Sequence, residues 1–169
     1  MSPLVHLEVA DGIATIRLDR PPMNALCAQI GQEIGALLPE IADRSDIAAV
    51  IVYGGEKVFA AGADIKEMAE LDFVSMRRYG RLLQDFTDAL AALPRFVIAA
   101  VSGYALGGGC ELAMACDYRI AGEKAVFGQV GPKVGSADPG WGTAYLARIV
   151  GEKKAREIWF LCRRYSATE

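Results

Sequence analysis

Two stretches of the chain share one device: a strand-like run breaks into small residues and glycine, then re-forms as a helix. One is VFAAGADIKEM, Val58 to Met68; the other is GYALGGGCELAMACD, Gly103 to Asp117. Glycine at such a junction lets backbone approach a neighbour or a ligand, and the first N–H groups of a helix have no carbonyl ahead of them to bond. A single loop of this kind also reads as a tight packing turn. Two in one chain could offer two backbone donors from different segments to one oxygen, which is what stabilising an enolate requires.

The rest of the pattern surrounds these loops with alternating strands and helices. Leu4 to Val9 and Ile13 to Leu18 alternate about Asp11-Gly12, a hairpin signal. Apolar residues at helical spacing predict a helix over Ala25 to Ala42, followed by a buried-type strand, Ile47 to Tyr53. Asp64 heads a short helix, Ile65 to Glu70, and a second, longer helix carries the stripe Tyr79, Leu82, Leu83, Phe86, Leu90, Leu93 up to Pro94. Strands follow at Phe96 to Ser102, Tyr118 to Ala121 and Ala125 to Phe127, then a loop, Gly128 to Gly140, and two helices marked by Trp141 and Trp159. GEKVFA at Gly55 and GEKAVFG at Gly122 hint at a repeated strand-strand-helix unit. RRYSATE, with Ser166 three residues before Glu169, reads as the start of a further helix.

The 169 residues are enough for a single domain with its own core, and a hydrophobic content of 53% with mean hydropathy +0.23 points to apolar surface hidden against further copies of the chain. The net charge of −3, with no long block of one sign, argues against nucleic acid and for a small-molecule partner. The start lacks a signal-peptide pattern and no apolar run approaches a membrane span, so a cytoplasmic protein is expected. Four cysteines without a CxxC pair make structural zinc improbable. His6, the sole histidine, excludes mechanisms that need a catalytic histidine elsewhere.

Glu111 is the acid of interest. Its helix neighbours, from Cys110 to Cys116, leave no polar face, so the helix and its carboxylate are expected to be buried. Desolvation raises a carboxyl pKa, which suits a general acid or base. No nicotinamide, flavin or nucleotide-phosphate motif is present, so no cofactor is expected beyond what the substrate carries.

FAAGADIKEM and GYALGGGCELAMACD together resemble the two signature segments of the enoyl-CoA hydratase/isomerase (crotonase) superfamily, and DRPPMNAL, Asp19 to Leu26, resembles its early substrate loop. The resemblance covers the whole chain and implies an α/β spiral of strand-strand-helix units, a homotrimer or hexamer, and an acyl-CoA thioester as substrate. Members are longer, so the resemblance also implies that residues 1–169 are a single core domain lacking the C-terminal helical part. The N–H groups of Ala63 and Gly108 are implied as the oxyanion hole and Glu111 as a catalytic acid. Met23, Ala25, Leu26, Ala61, Asp64, Ile65 and Lys66 are implied in holding coenzyme A, with Lys66 close to its adenine-phosphate part.

The hydratases carry a second glutamate in a FGQPE segment. Here the sequence is FGQVGPKVGSADPGWG, with Gly131 in that place. From Phe127 onward the chain resembles 2-ketocyclohexanecarboxyl-CoA hydrolase and 1,4-dihydroxy-2-naphthoyl-CoA synthase. In that branch Gly131 leaves space for substrate or a small anion such as bicarbonate, Asp138 is implied as a second catalytic acid, and Ser136 lies beside it. Asp138, before Pro139, reads equally as a helix N-cap. The basic cluster Lys153, Lys154, Arg156, Arg163 and Arg164 reads as a solvated helix face. Hydration of an enoyl-CoA is the first expectation. Carbon-carbon bond chemistry on a cyclic β-ketoacyl-CoA, enoyl-CoA isomerisation and a non-catalytic fragment remain alternatives.

Overall fold

Alternation along the first two strands, β1 (Val5–Ala10) and β2 (Ile13–Leu18), pairs them antiparallel across Asp11-Gly12 and turns Ala14, Ile16 and Leu18 inward. A computed structural model describes residues 2–136 and 141–169. After β2 the chain repeats one unit three times. β3 (Ala49–Tyr53) and β4 (Val58–Ala60) precede α2 (Ile65–Ala69) and α3 (Phe73–Ala91); β5 (Phe96–Val101) and β6 (Tyr104–Leu106) precede α4 (Gly108–Ala115); β7 (Tyr118–Ala121) and β8 (Val126–Gly128) precede a 3₁₀ turn, Gly131–Val134. The first strand of each unit joins one sheet, β1-β2-β3-β5-β7, and the second joins another, β4-β6-β8-β9, with β9 at Tyr165–Ser166. Each repeat thus lays its strands parallel to those of the previous repeat, and the chain advances as a spiral. The GEKVFA and GEKAVFG echo falls on β4 and β8, which flank β6.

The core lies between the larger sheet and the helices. Val50, Val52, Val97, Ala99 and Val101 face Ile30, Ile34, Leu38 and Ile41 of α1 (Ala28–Asp43), with Phe59, Phe86 and Leu90 completing the layer. β3 alternates buried and half-buried residues, so it has one core face rather than the two expected of a buried-type strand.

Several boundaries differ from expectation for physical reasons. α1 starts at Ala28 rather than Ala25, because Leu26 pairs as an extended residue with Ala63. The Trp141 segment begins as a π-helical turn, Trp141–Tyr145, and continues as α5 (Leu146–Val150); α6 (Glu152–Leu161) follows. Tyr165 and Ser166 form a strand against β8 rather than beginning a helix, although Ser166 and Glu169 exchange the reciprocal bonds of a capping box. The basic cluster is a solvated face: Lys154 and Arg163 pair with Glu157 at 3.1 and 3.0 Å, and Arg156 pairs with Glu152. Trp141 turns inward, leaving Phe160, 80% exposed, and Leu161 as apolar surface. No helix among the described residues is long and apolar enough to cross a membrane.

Candidate active site

The site begins with a single bridge. Leu26 N–H donates to the Gly62 carbonyl at 2.8 Å and Asp64 N–H donates to the Leu26 carbonyl at 3.1 Å, so Leu26 and Ala63 form one isolated parallel pair. Both bonds go to the residues flanking Ala63, and the N–H of Ala63 itself therefore faces away from Leu26. On that side lies the glycine triplet. A Cβ placed on Gly108 would sit 3.6 Å from Ala63 N, and one placed on Gly62 would sit 3.6 Å from Gly108 N. The Gly108 N–H heads α4, where no helical carbonyl precedes it. Two backbone donors from separate segments thus flank one small space.

Two glycines of the triplet answer different demands. Gly107 has φ of +50°, a conformation that side chains disfavour. At Gly108 a Cβ would stand at ordinary contact distance, 3.6 Å from Ala63 N, on the edge of the space between the two donors. A Cβ on Gly109 would lie 2.0 Å from the Ala60 carbonyl oxygen, so this glycine lets α4 press against β4.

The loops carrying the donors are held by buried polar groups. Asn24 donates to the carbonyls of Gly54 and Phe59, at 2.6 and 3.1 Å. Ala61 N–H donates to Met23 O at 3.1 Å, and Arg20 donates to Ala25 O at 2.9 Å, so the runs 23–26 and 61–66 lie side by side. Asp64 caps α2 by accepting from Lys66 and Glu67 N–H and takes a 2.5 Å bond from Arg20. Desolvation pushes the Asp64 carboxyl upward, but the Arg20 guanidinium and the two N–H groups outweigh it and hold the pKa below the usual carboxylate range. Asp64 is therefore spent on holding the loop. Ile65 and Lys66 are exposed beside it.

A cavity of about 100 Å³ opens at the donors, bounded by Ala63, Gly108, Glu111, Met76, Tyr79 and Leu83. A second of about 100 Å³ is bounded by Ala61, Gly62, Ile65, Gly107, Gly131 and Val134; Ala63, Met68, Gly108 and Ser136 border both. Glu111, expected to be buried, is half-buried as a residue with its Oε1 enclosed; Gly109, Cys110 and Leu112 to Ala115 of α4 are buried, while Gly108 and Glu111 line the first cavity. The π-helical turn closes over the Glu111 carboxylate. A Cβ on Gly142 would lie 2.2 Å from Glu111 Oε1, and Trp159 Nε1 donates to the Gly142 carbonyl at 3.1 Å.

Gly131 and Ser136 meet at the second cavity, where Ser136 N–H donates to Gly131 O at 3.0 Å. Asp138 lies outside the described residues. Gln129, two residues before Gly131 and wholly buried, borders neither cavity, and its amide has no hydrogen-bond partner among the described residues. The sequence reading missed Arg20, Asn24, Tyr79 and Gly142. Spacing marks Tyr79 only as part of an apolar stripe, although a buried tyrosine usually needs a partner for its hydroxyl.

Residues 8–169 match the family described as enoyl-CoA hydratase/isomerase. The chain belongs to this family. Among solved relatives, Pseudomonas aeruginosa DspI is 32% identical with TM-score 0.95, over 99% of this chain and 69% of that one. An enoyl-CoA hydratase from Bacillus anthracis is 34% identical with TM-score 0.93, over 98% and 65%. An enoyl-CoA hydratase from Thermoplasma volcanium is 29% identical with TM-score 0.94, over 99% and 68%. The chain spans about two thirds of the length of these enoyl-CoA hydratase/isomerase relatives, and its strand-strand-helix spiral is the crotonase fold.

Proposed function

We propose that the chain is the core of an enoyl-CoA hydratase. A 2-enoyl-CoA would place its thioester oxygen between the N–H groups of Ala63 and Gly108 and its acyl chain along α3, with Met23 to Leu26 and Ala61 to Lys66 along coenzyme A. Charge that develops on the oxygen as the enolate forms is then met by donors already oriented, so stabilisation grows toward the transition state. Glu111, at the wall of the same cavity, would activate the water and move the proton. The observation that carries this reading is the convergence of two backbone donors and one carboxylate on a single cavity. Loss of enoyl-thioester absorbance on adding the protein to crotonyl-CoA tests it, with Glu111→Gln expected to abolish the change. Folded protein that leaves crotonyl-CoA untouched refutes it.

Gly131 and Ser136, which border the second cavity, favour a second reading, carbon-carbon bond chemistry on a cyclic β-ketoacyl-CoA. Bicarbonate would there supply a base where the hydratases carry a glutamate, in the cavity bordered by Gly131 and Ser136. Conversion of 2-ketocyclohexanecarboxyl-CoA to a ring-opened acid, with crotonyl-CoA unchanged, would select it. Movement of the double bond without water uptake would select isomerisation instead. The exposed Phe160 and Leu161 support assembly into a trimer or hexamer, testable by light scattering.

A further inference from the structure

The Leu26–Ala63 bridge has a third member that belongs to neither loop. Tyr79, on the inward face of α3, donates its hydroxyl to the Leu26 carbonyl at 2.5 Å and accepts the Asp64 N–H at 3.1 Å. The Leu26 carbonyl and the Asp64 N–H are also bonded to each other, so hydroxyl, carbonyl and amide close a ring of three hydrogen bonds. Burial pushes the hydroxyl up to about 12, so it keeps its proton and remains able to donate. Tyr79 lines the cavity shared with Glu111, as do Met76 and Leu83 of the same helix.

We propose that Tyr79 is a positioning residue of the oxyanion hole, tying the acyl-facing helix to the peptide that presents the Ala63 N–H. The inference rests on the enolate reading above. The hydroxyl fixes the Asp64 amide, Asp64 is the residue after Ala63, and the direction of the Ala63 N–H follows from the bridge. A substrate acyl chain packing along α3 therefore presses on the same element that aims one of the two donors. Removing the hydroxyl leaves the ring and the coenzyme A loops in place but loosens that aim.

The test is Tyr79→Phe in the full chain, read by kcat, KM and the infrared stretch of a ¹³C-labelled thioester carbonyl in the bound substrate. The expected result is kcat reduced roughly three- to tenfold, as for loss of one buried hydrogen bond, with KM changed less than about twofold. The carbonyl stretch should shift downward on binding in the wild type and less in the variant. Wild-type kcat and carbonyl shift in a folded variant overturn the inference while leaving the enolate reading intact; a wild type with neither turnover nor carbonyl shift overturns both. If the phenylalanine variant fails to fold, 3-fluorotyrosine at position 79 keeps ring and hydroxyl but weakens the hydroxyl as an acceptor. A carbonyl frequency that moves with fluorination supports the role, and one that stays fixed overturns it.

Discussion

Gly142→Ala is a test of geometry that leaves Glu111 chemically intact. The new methyl carbon would lie 2.2 Å from Glu111 Oε1 and 3.1 Å from Trp159 Cζ2. A carbon and a carboxylate oxygen need about 3.2 Å or more, so the carboxylate must retreat by about 1 Å. The atoms that must yield are the far end of one side chain rather than backbone, and the Trp159 contact is only a few tenths of an ångström tight. The expected loss of stability is therefore modest, about 1–2 kcal/mol. The rate should suffer more, because a displacement of about 1 Å in a reacting group can cost about 10²-fold, equivalent to about 2.7 kcal/mol of barrier. Crotonyl-CoA hydration and thermal unfolding, measured on the same preparation, separate the two effects. A variant that melts near the wild type and loses about a hundredfold in kcat is the expected outcome. Full hydration by Gly142→Ala would sink the claim that this contact sets the Glu111 carboxylate for catalysis.

Gly109→Ala should behave in the opposite manner, since its methyl would meet the Ala60 carbonyl oxygen at 2.0 Å and only backbone could yield. Destabilisation of about 3 kcal/mol or more in urea unfolding is expected, and a value under 1 kcal/mol would show that α4 is less tightly seated on β4 than described. The Asp64 pKa is depressed on folding, so its contribution to stability is present above the unfolded value of about 3.9 and is lost as pH falls through the folded value. Asp64→Asn should flatten the acid limb of the stability curve; an unchanged limb would contradict the Arg20 pairing. Tyr79 has the reverse sign: its pKa rises from 10.0 to about 12, so about 2–3 kcal/mol of stability is present below pH 10 and is lost as pH rises toward 12. Tyr79→Phe should remove that alkaline slope in a denaturant titration, and persistence of the slope would argue against its buried hydroxyl.

How legible the site was depended on whether a residue's role was local. The hairpin about Asp11-Gly12, the Asp64 cap and the long stripe of α3 follow from spacing within one segment, and the structure places them where spacing puts them. The two glycine loops were visible as strand-to-helix junctions for the same reason. Their convergence was less so, because it depends on β4 and β6 being parallel neighbours, and each of these strands is only three residues long. Arg20, Asn24, Tyr79 and Gly142 were illegible because each acts on a partner distant in sequence: Arg20 reaches 44 residues to Asp64, and Tyr79 reaches 53 back to Leu26. Glu111 lies between these cases. Its apolar neighbours signalled burial of the helix, and α4 is buried, but a window of eight residues could not reveal that one face opens onto a cavity. A long-range hydrogen bond leaves little local trace in composition or period. Its one mark is a polar atom on a face that periodicity assigns to the core, and the Tyr79 hydroxyl on the α3 stripe was such a mark.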